Sequence, residues 1–183
     1  LLMRAQEVFD KLPARNVASW TILITGYSHL EREEVVVNLF SKMLEEGISP
    51  NIVTFTAVLN ACSHSGCLEE AQLYFHEMCG KYGITPDLEH YTCMVSVLGR
   101  VGEFNKAMSV IDVMPSCDDE LAMWLSLLGS CRKWRNVKLG RWAFEQSVQL
   151  DEKCAPAYIC MGNIYATAGM QTEADRTEAY SYL

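Results

Sequence analysis

A repeat of about 35 residues runs through the chain and constrains its fold more than any other feature. The segment VASWT at residues 17–21 is followed by similar segments, IVTFT at residues 52–56 and LEHYT at residues 88–92. Their aromatic position recurs with spacings of 35, 36, 33 and 34 residues, at Trp20, Phe55, Tyr91, Trp124 and Tyr158. Self-similarity at such a period indicates an array of repeated supersecondary units.

Each unit has the pattern of two helices joined by a turn. In the first unit, apolar residues at helical spacing share one face: Trp20, Leu23, Ile24 and Tyr27. After a predicted break at residues 30–32 a second such face follows: Val36, Leu39, Phe40 and Met43. Gly47 is expected to end this helix, and Pro50 to prevent it from resuming. Because stacked hairpins share a continuous core, the sequence predicts an all-α fold, a right-handed α-solenoid of stacked helix-turn-helix repeats.

Composition narrows the class of protein further. Half of the residues are hydrophobic, yet no apolar run approaches the roughly 18 residues that a membrane span needs. The eight cysteines include no C-x-x-C pair, which favours free thiols in a reducing compartment. The net charge of −8 opposes tight binding of a polyanion by the chain as a whole. It leaves open the reading of bases on one local face.

Several segments resemble motifs of the plant pentatricopeptide repeat proteins. Residues 17–27, VASWTILITGY, are similar to the opening of such a motif. Residues 61–66 and 98–102 resemble segments of the PLS subclass, in which motifs of different length alternate. Residues 124–132, WLSLLGSCR, and 162–169, GNIYATAG, are typical of the E1 and E2 motifs that end such arrays. Glu31 departs from the pattern, because glycine holds the equivalent positions 66 and 102.

The resemblance implies a division of the chain into six parts. Residues 1–16 resemble the tail of a short motif, 17–51 a P motif, 52–87 an L motif and 88–119 an S motif. Residues 120–154 resemble E1, and residues 155–183 a truncated E2. The first residues lack the organisation of a targeting peptide, so we expect a fragment of a mitochondrial or plastid protein whose targeting segment is absent.

Proteins of this class read about one base of single-stranded RNA per repeat through two or three side chains. The resemblance places these at the fifth, last and second residues of a motif. The implied base-reading residues are Thr21 with Asn51 in the P motif, Thr56 with Asp87 in the L motif, and Thr92 with Asp118 or Asp119 in the S motif. The residues expected to pack against the base are Ala18, Val53 and Glu89.

Hydrogen-bond chemistry links these pairs to bases. An amide offers both a donor and an acceptor and suits adenine, so Thr21 with Asn51 is expected to favour adenine. A carboxylate only accepts and suits the two donors of guanine, so the pairs that end in aspartate are expected to favour guanine. Threonine, asparagine and aspartate beside a helix start also act as caps, which is the alternative role for all of these residues.

No enzyme is expected in this chain. A zinc deaminase follows the E motifs in many relatives and needs an H-x-E box with a C-x-x-C pair. His29 and Glu31 match H-x-E, but they lie at a predicted turn, and C-x-x-C is absent. Cys62, His64 and Cys67 form only a partial metal cluster without an evident fourth ligand. We therefore predict no catalytic residue, metal or cofactor.

Two functions from different classes remain. In the first, the chain is the RNA-recognition part of a specificity factor for organellar C-to-U RNA editing, and its E motifs recruit editing cofactor proteins or a deaminase domain. A cluster typical of protein interfaces lies in E1: Trp134, Arg135, Arg141 and Trp142. In the second, the chain is a tetratricopeptide-like scaffold that binds proteins.

Overall fold

The computed structural model describes residues 2–115 and 120–180, most of which are helical. Within these ranges there are eleven α-helices and no strand, which confirms the predicted all-α class. The helices are α1 (Leu2–Asp10), α2 (Val17–Ser28), α3 (Glu33–Glu45), α4 (Ile52–Ser65), α5 (Leu68–Gly80), α6 (Leu88–Val101), α7 (Phe104–Val113), α8 (Leu121–Trp134), α9 (Val137–Leu150), α10 (Ala155–Thr167) and α11 (Gln171–Tyr180). They form two compact units, Leu1–Val97 and Leu98–Leu183.

The first unit buries two of the repeated aromatic residues, Trp20 and Phe55, whereas Tyr91 is only half-buried. Helix α2 contacts α3 and α4, and α4 contacts α5. Trp20, Phe40 and Phe55 are almost completely buried, as the periodicity predicts. The Phe40 ring meets the Phe55 ring edge-on, with centroids 5.6 Å apart. Burying one such side chain contributes about 1.5–3 kcal/mol, so the shared core holds neighbouring repeats together.

The second unit repeats this plan with different side chains. Helix α8 contacts α9, and α10 contacts α8, α9 and α11. The Trp124 and Trp142 rings meet edge-on with centroids 4.7 Å apart. Gly140 lets the backbone of α9 approach α10, because a Cβ atom there would lie 2.9 Å from the Ile164 Cδ1 atom. The packing thus places α8, α9 and α10 at fixed positions around one core.

Hairpin turns occur where the sequence predicts them. Helix α2 ends at Ser28 and α3 begins at Glu33, which confirms the break at residues 30–32. Helix α4 ends with Gly66 in the left-handed conformation, at φ 82°, where its N–H bonds the carbonyl of Cys62. Glu31 and Arg135 adopt positive φ in the turns after α2 and α8 although they carry a Cβ atom.

No helix among the described residues is both long and apolar enough to cross a membrane.

Candidate functional site

Asn51, the predicted last residue of the first full repeat, begins helix α4 as its N-cap. Its Oδ1 atom accepts hydrogen bonds from the backbone N–H of Thr54 at 2.9 Å and from the Thr54 hydroxyl at 2.9 Å. The Asn51 N–H donates to Thr54 Oγ1 at 3.2 Å, which completes a capping box. The capping role that the sequence left as the alternative is therefore present, and it engages the amide oxygen.

Thr21, the predicted partner of Asn51, is connected to it through Thr54. The Thr21 and Thr54 hydroxyls are 2.7 Å apart, and both side chains are buried. The one hydrogen of the Thr54 hydroxyl goes to Asn51, so Thr21 must donate in the contact between the hydroxyls. Thr21 Oγ1 then retains only acceptor capacity, while the Asn51 amide nitrogen retains its two donors.

Thr56 and Asp87, the predicted pair of the next repeat, are connected in the same way through His90. The His90 ring is completely buried. Its Nδ1 atom lies 2.5 Å from Asp87 Oδ1, and its Nε2 atom lies 3.2 Å from Thr56 Oγ1. Thr56 donates its hydroxyl hydrogen to the carbonyl of Ile52 at 3.1 Å. This pair therefore offers two acceptors, the Thr56 oxygen and the half-exposed Asp87 carboxylate.

The residues expected to pack against bases lie at the starts of the same helices. Ala18 in α2, Val53 in α4 and Glu89 in α6 are all exposed. Val53 leaves half of its apolar side chain in solvent. Exposure at these positions is compatible with contact to a ligand, and only Val53 offers it a sizeable apolar surface.

The pair predicted for the S motif is only partly visible. Thr92 is half-buried in α6. Asp118 and Asp119 lie outside the described residues.

The sequence analysis assigned no role to Thr54 and His90, which belong to the candidate site. Both are the third residue of a predicted repeat, and each connects the predicted fifth residue of the preceding repeat to its predicted last residue. The available signal was a polar residue that recurs at the third position of an otherwise apolar helix start, where Ser19 also lies. Ser19 completes a capping box with Asn16 and shows the same local geometry one repeat earlier.

Two residues of the motifs that resemble parts of a metal enzyme lie close together, because Glu31 Oε1 is 3.6 Å from His64 Nδ1. His29 and Glu31 lie in the turn between α2 and α3. Among the described residues, no group of three or more histidine, cysteine, aspartate or glutamate side chains could hold a metal ion. Burial raises the pKa of the Cys62 thiol to about 12, which disfavours the thiolate that a metal requires.

The predicted interface cluster of the second unit separates into two parts. Trp142 packs against Trp124, and Arg141 Nε donates to the hydroxyl of Tyr165 at 3.2 Å. Trp142 therefore belongs to the internal packing of the hairpins. Trp134 and Arg135 are exposed at the turn between α8 and α9.

Comparison with protein families identifies the repeat. The model of the PPR repeat family matches residues 15–64, and the PPR repeat model matches residues 53–82 and 89–118. Together these matches cover more than half of the chain. The chain belongs to the pentatricopeptide repeat family. These matches end at residue 118 and do not include the segments that resemble E1 and E2, residues 120–154 and 155–183.

Two of the curated pentatricopeptide repeat relatives are from Arabidopsis thaliana. The mitochondrial pentatricopeptide repeat-containing protein At4g19191 is 43% identical over 91% of this chain and 25% of its own length. The chloroplastic protein At3g57430 is 35% identical over 94% of this chain and 19% of its own length. The chain thus spans only about a quarter or less of these relatives. Their compartments agree with the predicted localisation, a mitochondrion or a plastid.

Solved structures of this family share the fold. The crystal structure of pentatricopeptide repeat protein PPR10 from maize superposes with a TM-score of 0.71, at 21% identity over 96% of this chain and 26% of that chain. PPR10 in complex with an 18-nt psaJ RNA element gives a TM-score of 0.70, at 17% identity over 97% of this chain and 27% of that chain. This likeness confirms the fold class, an α-solenoid of helix-turn-helix repeats.

Proposed function

We propose that this pentatricopeptide repeat chain recognises single-stranded RNA in a sequence-specific manner. The observation that carries the proposal is the fixed hydrogen-bond polarity of the two described pairs. Thr21 and Asn51 offer an acceptor beside a donor, whereas Thr56 and Asp87 offer two acceptors. The maize protein PPR10 has the same fold and has been crystallised with an RNA element, which supports this class of ligand.

The first pair suits adenine. Adenine presents the N6 amino donor beside the N1 acceptor, which match the Thr21 oxygen and the Asn51 amide nitrogen. Guanine presents the opposite order at these two positions, so it would bring a donor to a donor. Cytosine shares the order of adenine but is smaller, and the small Ala18 side chain leaves room for the larger purine.

The second pair suits guanine. The N1–H and N2–H groups of guanine are adjacent donors, and Thr56 Oγ1 with the Asp87 carboxylate can accept both. Asp87 also accepts from the backbone N–H of Glu89 at 3.1 Å, which holds the carboxylate in place. A positioned acceptor discriminates better than a mobile one, because less rotational freedom is lost on binding.

The test is binding of the whole chain to short RNAs that differ at one base. Fluorescence anisotropy should rank adenine first at the position facing the first pair and guanine first at the next position. Each good base contact contributes about 1–3 kcal/mol of discrimination, so preferences of about five-fold or more are expected. Equal affinity for all four bases at both positions would contradict the proposal.

We propose that this recognition serves C-to-U RNA editing in a mitochondrion or plastid, with no catalysis by the chain itself. Residues 120–154 and 155–183 would act as E1 and E2 motifs that recruit an editing cofactor protein or a deaminase domain. The apolar side chains of Leu150 and Ile159 in the second unit are exposed and would be available for a protein contact. Replacing both by glutamate should abolish association with a recombinant editing cofactor protein and leave the base preferences intact. Unchanged association would contradict this part of the proposal.

A further inference from the structure

We propose that the turn between α8 and α9 is a second contact for RNA, binding phosphates through its cations and stacking a base on Trp134. The sequence concentrates positive charge here. Five of the 15 lysines and arginines lie within ten residues that contain no acidic residue: Arg132, Lys133, Arg135, Lys138 and Arg141. In a chain with a net charge of −8, this is a local reversal of sign.

These cations are available to a ligand. Arg132, Lys133, Arg135 and Lys138 are all exposed. Within residues 2–115 and 120–180, none of these four side chains forms an ion pair with a carboxylate. Each of the four can therefore meet a phosphate without first breaking an ion pair.

Trp134 is held in place while half of its side chain faces solvent. Its Nε1–H donates to the backbone carbonyl of Arg100 at 3.3 Å, and the Lys133 ammonium donates to the same carbonyl at 3.0 Å. The ring lies on Gly102, where a Cβ atom would come within 3.0 Å of two ring atoms. The residue nevertheless remains 48% exposed. A fixed aromatic ring with free surface is the platform that single-stranded nucleic acids use for stacking.

Arg135 occupies a backbone position that favours glycine. Its φ and ψ are 53° and 34°, in the left-handed region, where the turns after α4, α6 and α10 have Gly66, Gly102 and Gly169. A side chain with Cβ is disfavoured in this conformation. Glu31 adopts the same φ in another turn, so strain alone identifies no ligand. The positive charge of Arg135 beside the held Trp134 ring distinguishes this turn.

The combination of ring and charge favours RNA over an acidic polypeptide. An acidic segment would use the cations but would leave the ring without a stacking partner. A nucleotide uses both, since its phosphate meets a cation while its base covers an aromatic face. Lys133 Nζ lies 5.5 Å from the centre of the Trp134 ring, so the two kinds of contact are adjacent. The inference goes beyond base reading by the repeats and rests on different residues.

The test uses the whole chain, a fluorescent oligouridine of about 12 nucleotides and a salt titration. Arg135→Gly removes one charge and also relieves the backbone conformation, so it should raise the melting temperature while weakening binding about three- to ten-fold. For Arg135→Gly, the slope of log affinity against log salt concentration should be shallower than that of the parent chain by about 0.7, the value for one phosphate contact on a single strand. Lys153→Ala removes an exposed charge outside the turn and serves as the control, with a slope close to that of the parent chain.

The ring is tested separately with Trp134→Phe and Trp134→Ala. Stacking predicts that the phenylalanine variant retains most of the affinity and that the alanine variant loses about five-fold or more. The inference is overturned if the parent chain does not bind oligouridine, if Arg135→Gly behaves like Lys153→Ala, or if an oligoglutamate peptide binds more tightly than the RNA. Because oligouridine contains one base type, these outcomes are independent of whether Asn51 selects adenine.

Discussion

The hydroxyls of Thr21 in α2 and Thr54 in α4 lie 2.7 Å apart, although the two residues are 33 positions apart in the sequence. Thr54 also donates to Asn51, so one hydroxyl fixes the proton positions of two predicted base-reading side chains. The repeat therefore does more than place two polar groups near each other. It determines which group donates and which accepts.

Removing this hydroxyl should weaken both stability and base preference. Thr54→Val keeps the shape of the side chain but leaves the Thr21 hydroxyl without its partner in a buried position. The free energy of unfolding should fall by about 1–3 kcal/mol, measured by urea denaturation. The control is Thr25→Val in α2, because the buried Thr25 hydroxyl has no hydrogen-bond partner among the described residues. That variant should be neutral or stabilising, and equal losses in the two variants would contradict the account.

Two substitutions of His90 should separate the contacts of its two ring nitrogens. His90→Asn places an amide near the position of Nδ1 and should retain the bond to Asp87, while losing the contacts of Nε2 with Thr56 and with the carbonyl of Ile52. His90→Gln places its amide near Nε2 and should do the opposite. Each should lower the free energy of unfolding by about 1–2 kcal/mol. In RNA binding, the glutamine variant should lose more of the guanine preference, because the Asp87 carboxylate then keeps only its bonds from the backbone N–H groups of Glu89 and His90. Identical base preferences in the two variants would contradict a positioning role for His90.

Alkaline pH should destabilise the chain through its buried thiols. Burial raises the pKa of Cys131 from 9.0 to about 12, and burial raises those of Cys62 and Cys93 to about 12 as well. Between pH 9 and 12 the unfolded chain has released these protons while the folded chain retains them, so stability falls as the pH rises. Each thiol should contribute a loss of about 1 kcal/mol per pH unit in this range.

Cys131→Ala provides the check on this prediction. The variant should be less stable at neutral pH because it leaves a small cavity in the core. Its free energy of unfolding should nevertheless fall less steeply above pH 9 than that of the parent chain, by the equivalent of about one proton. Parallel curves for the two proteins would show that the thiol does not titrate as described.

Much of the fold could be predicted because a single physical requirement, burial of apolar faces at a fixed period, determines it. Trp20 and Phe55 recur 35 residues apart and are both buried at equivalent positions of successive hairpins. Gly47 and Pro50 lie between α3 and α4, where the sequence predicts that the helix ends. Local turn chemistry and periodicity agree at these positions, so tertiary contacts had little to override.

The site was less predictable because its chemistry depends on contacts between helices. From the sequence, capping and base reading are alternative roles for Asn51. In the structure the Asn51 side-chain oxygen caps α4, and its amide nitrogen keeps its capacity to donate. The roles of Thr54 and His90 depend on contacts between neighbouring helices. Thr54 contacts Thr21, which is 33 positions away in the sequence, and His90 contacts Thr56, which is 34 positions away. Trp142 was assigned to an interface by composition, although its position on α9 directs it against Trp124.

The polarity of the first pair is the central claim, and Asn51→Asp tests it most directly. Aspartate is as good an N-cap as asparagine, so the cap of α4 and the stability should be largely retained. The amide donors are replaced by a carboxylate oxygen, which can accept from guanine N1–H and N2–H but cannot donate to adenine N1. The added negative charge should also weaken RNA binding uniformly.

The decisive measurement is the ratio of affinities for two RNAs that differ only by adenine or guanine opposite this repeat. It is measured by fluorescence anisotropy for the parent chain and for Asn51→Asp, with unfolding curves to confirm that the cap persists. The account predicts a preference for adenine in the parent chain and a change of about ten-fold or more toward guanine in the variant. An unchanged ratio, with both proteins folded and both RNAs bound, would show that Asn51 is a helix cap and does not read the base.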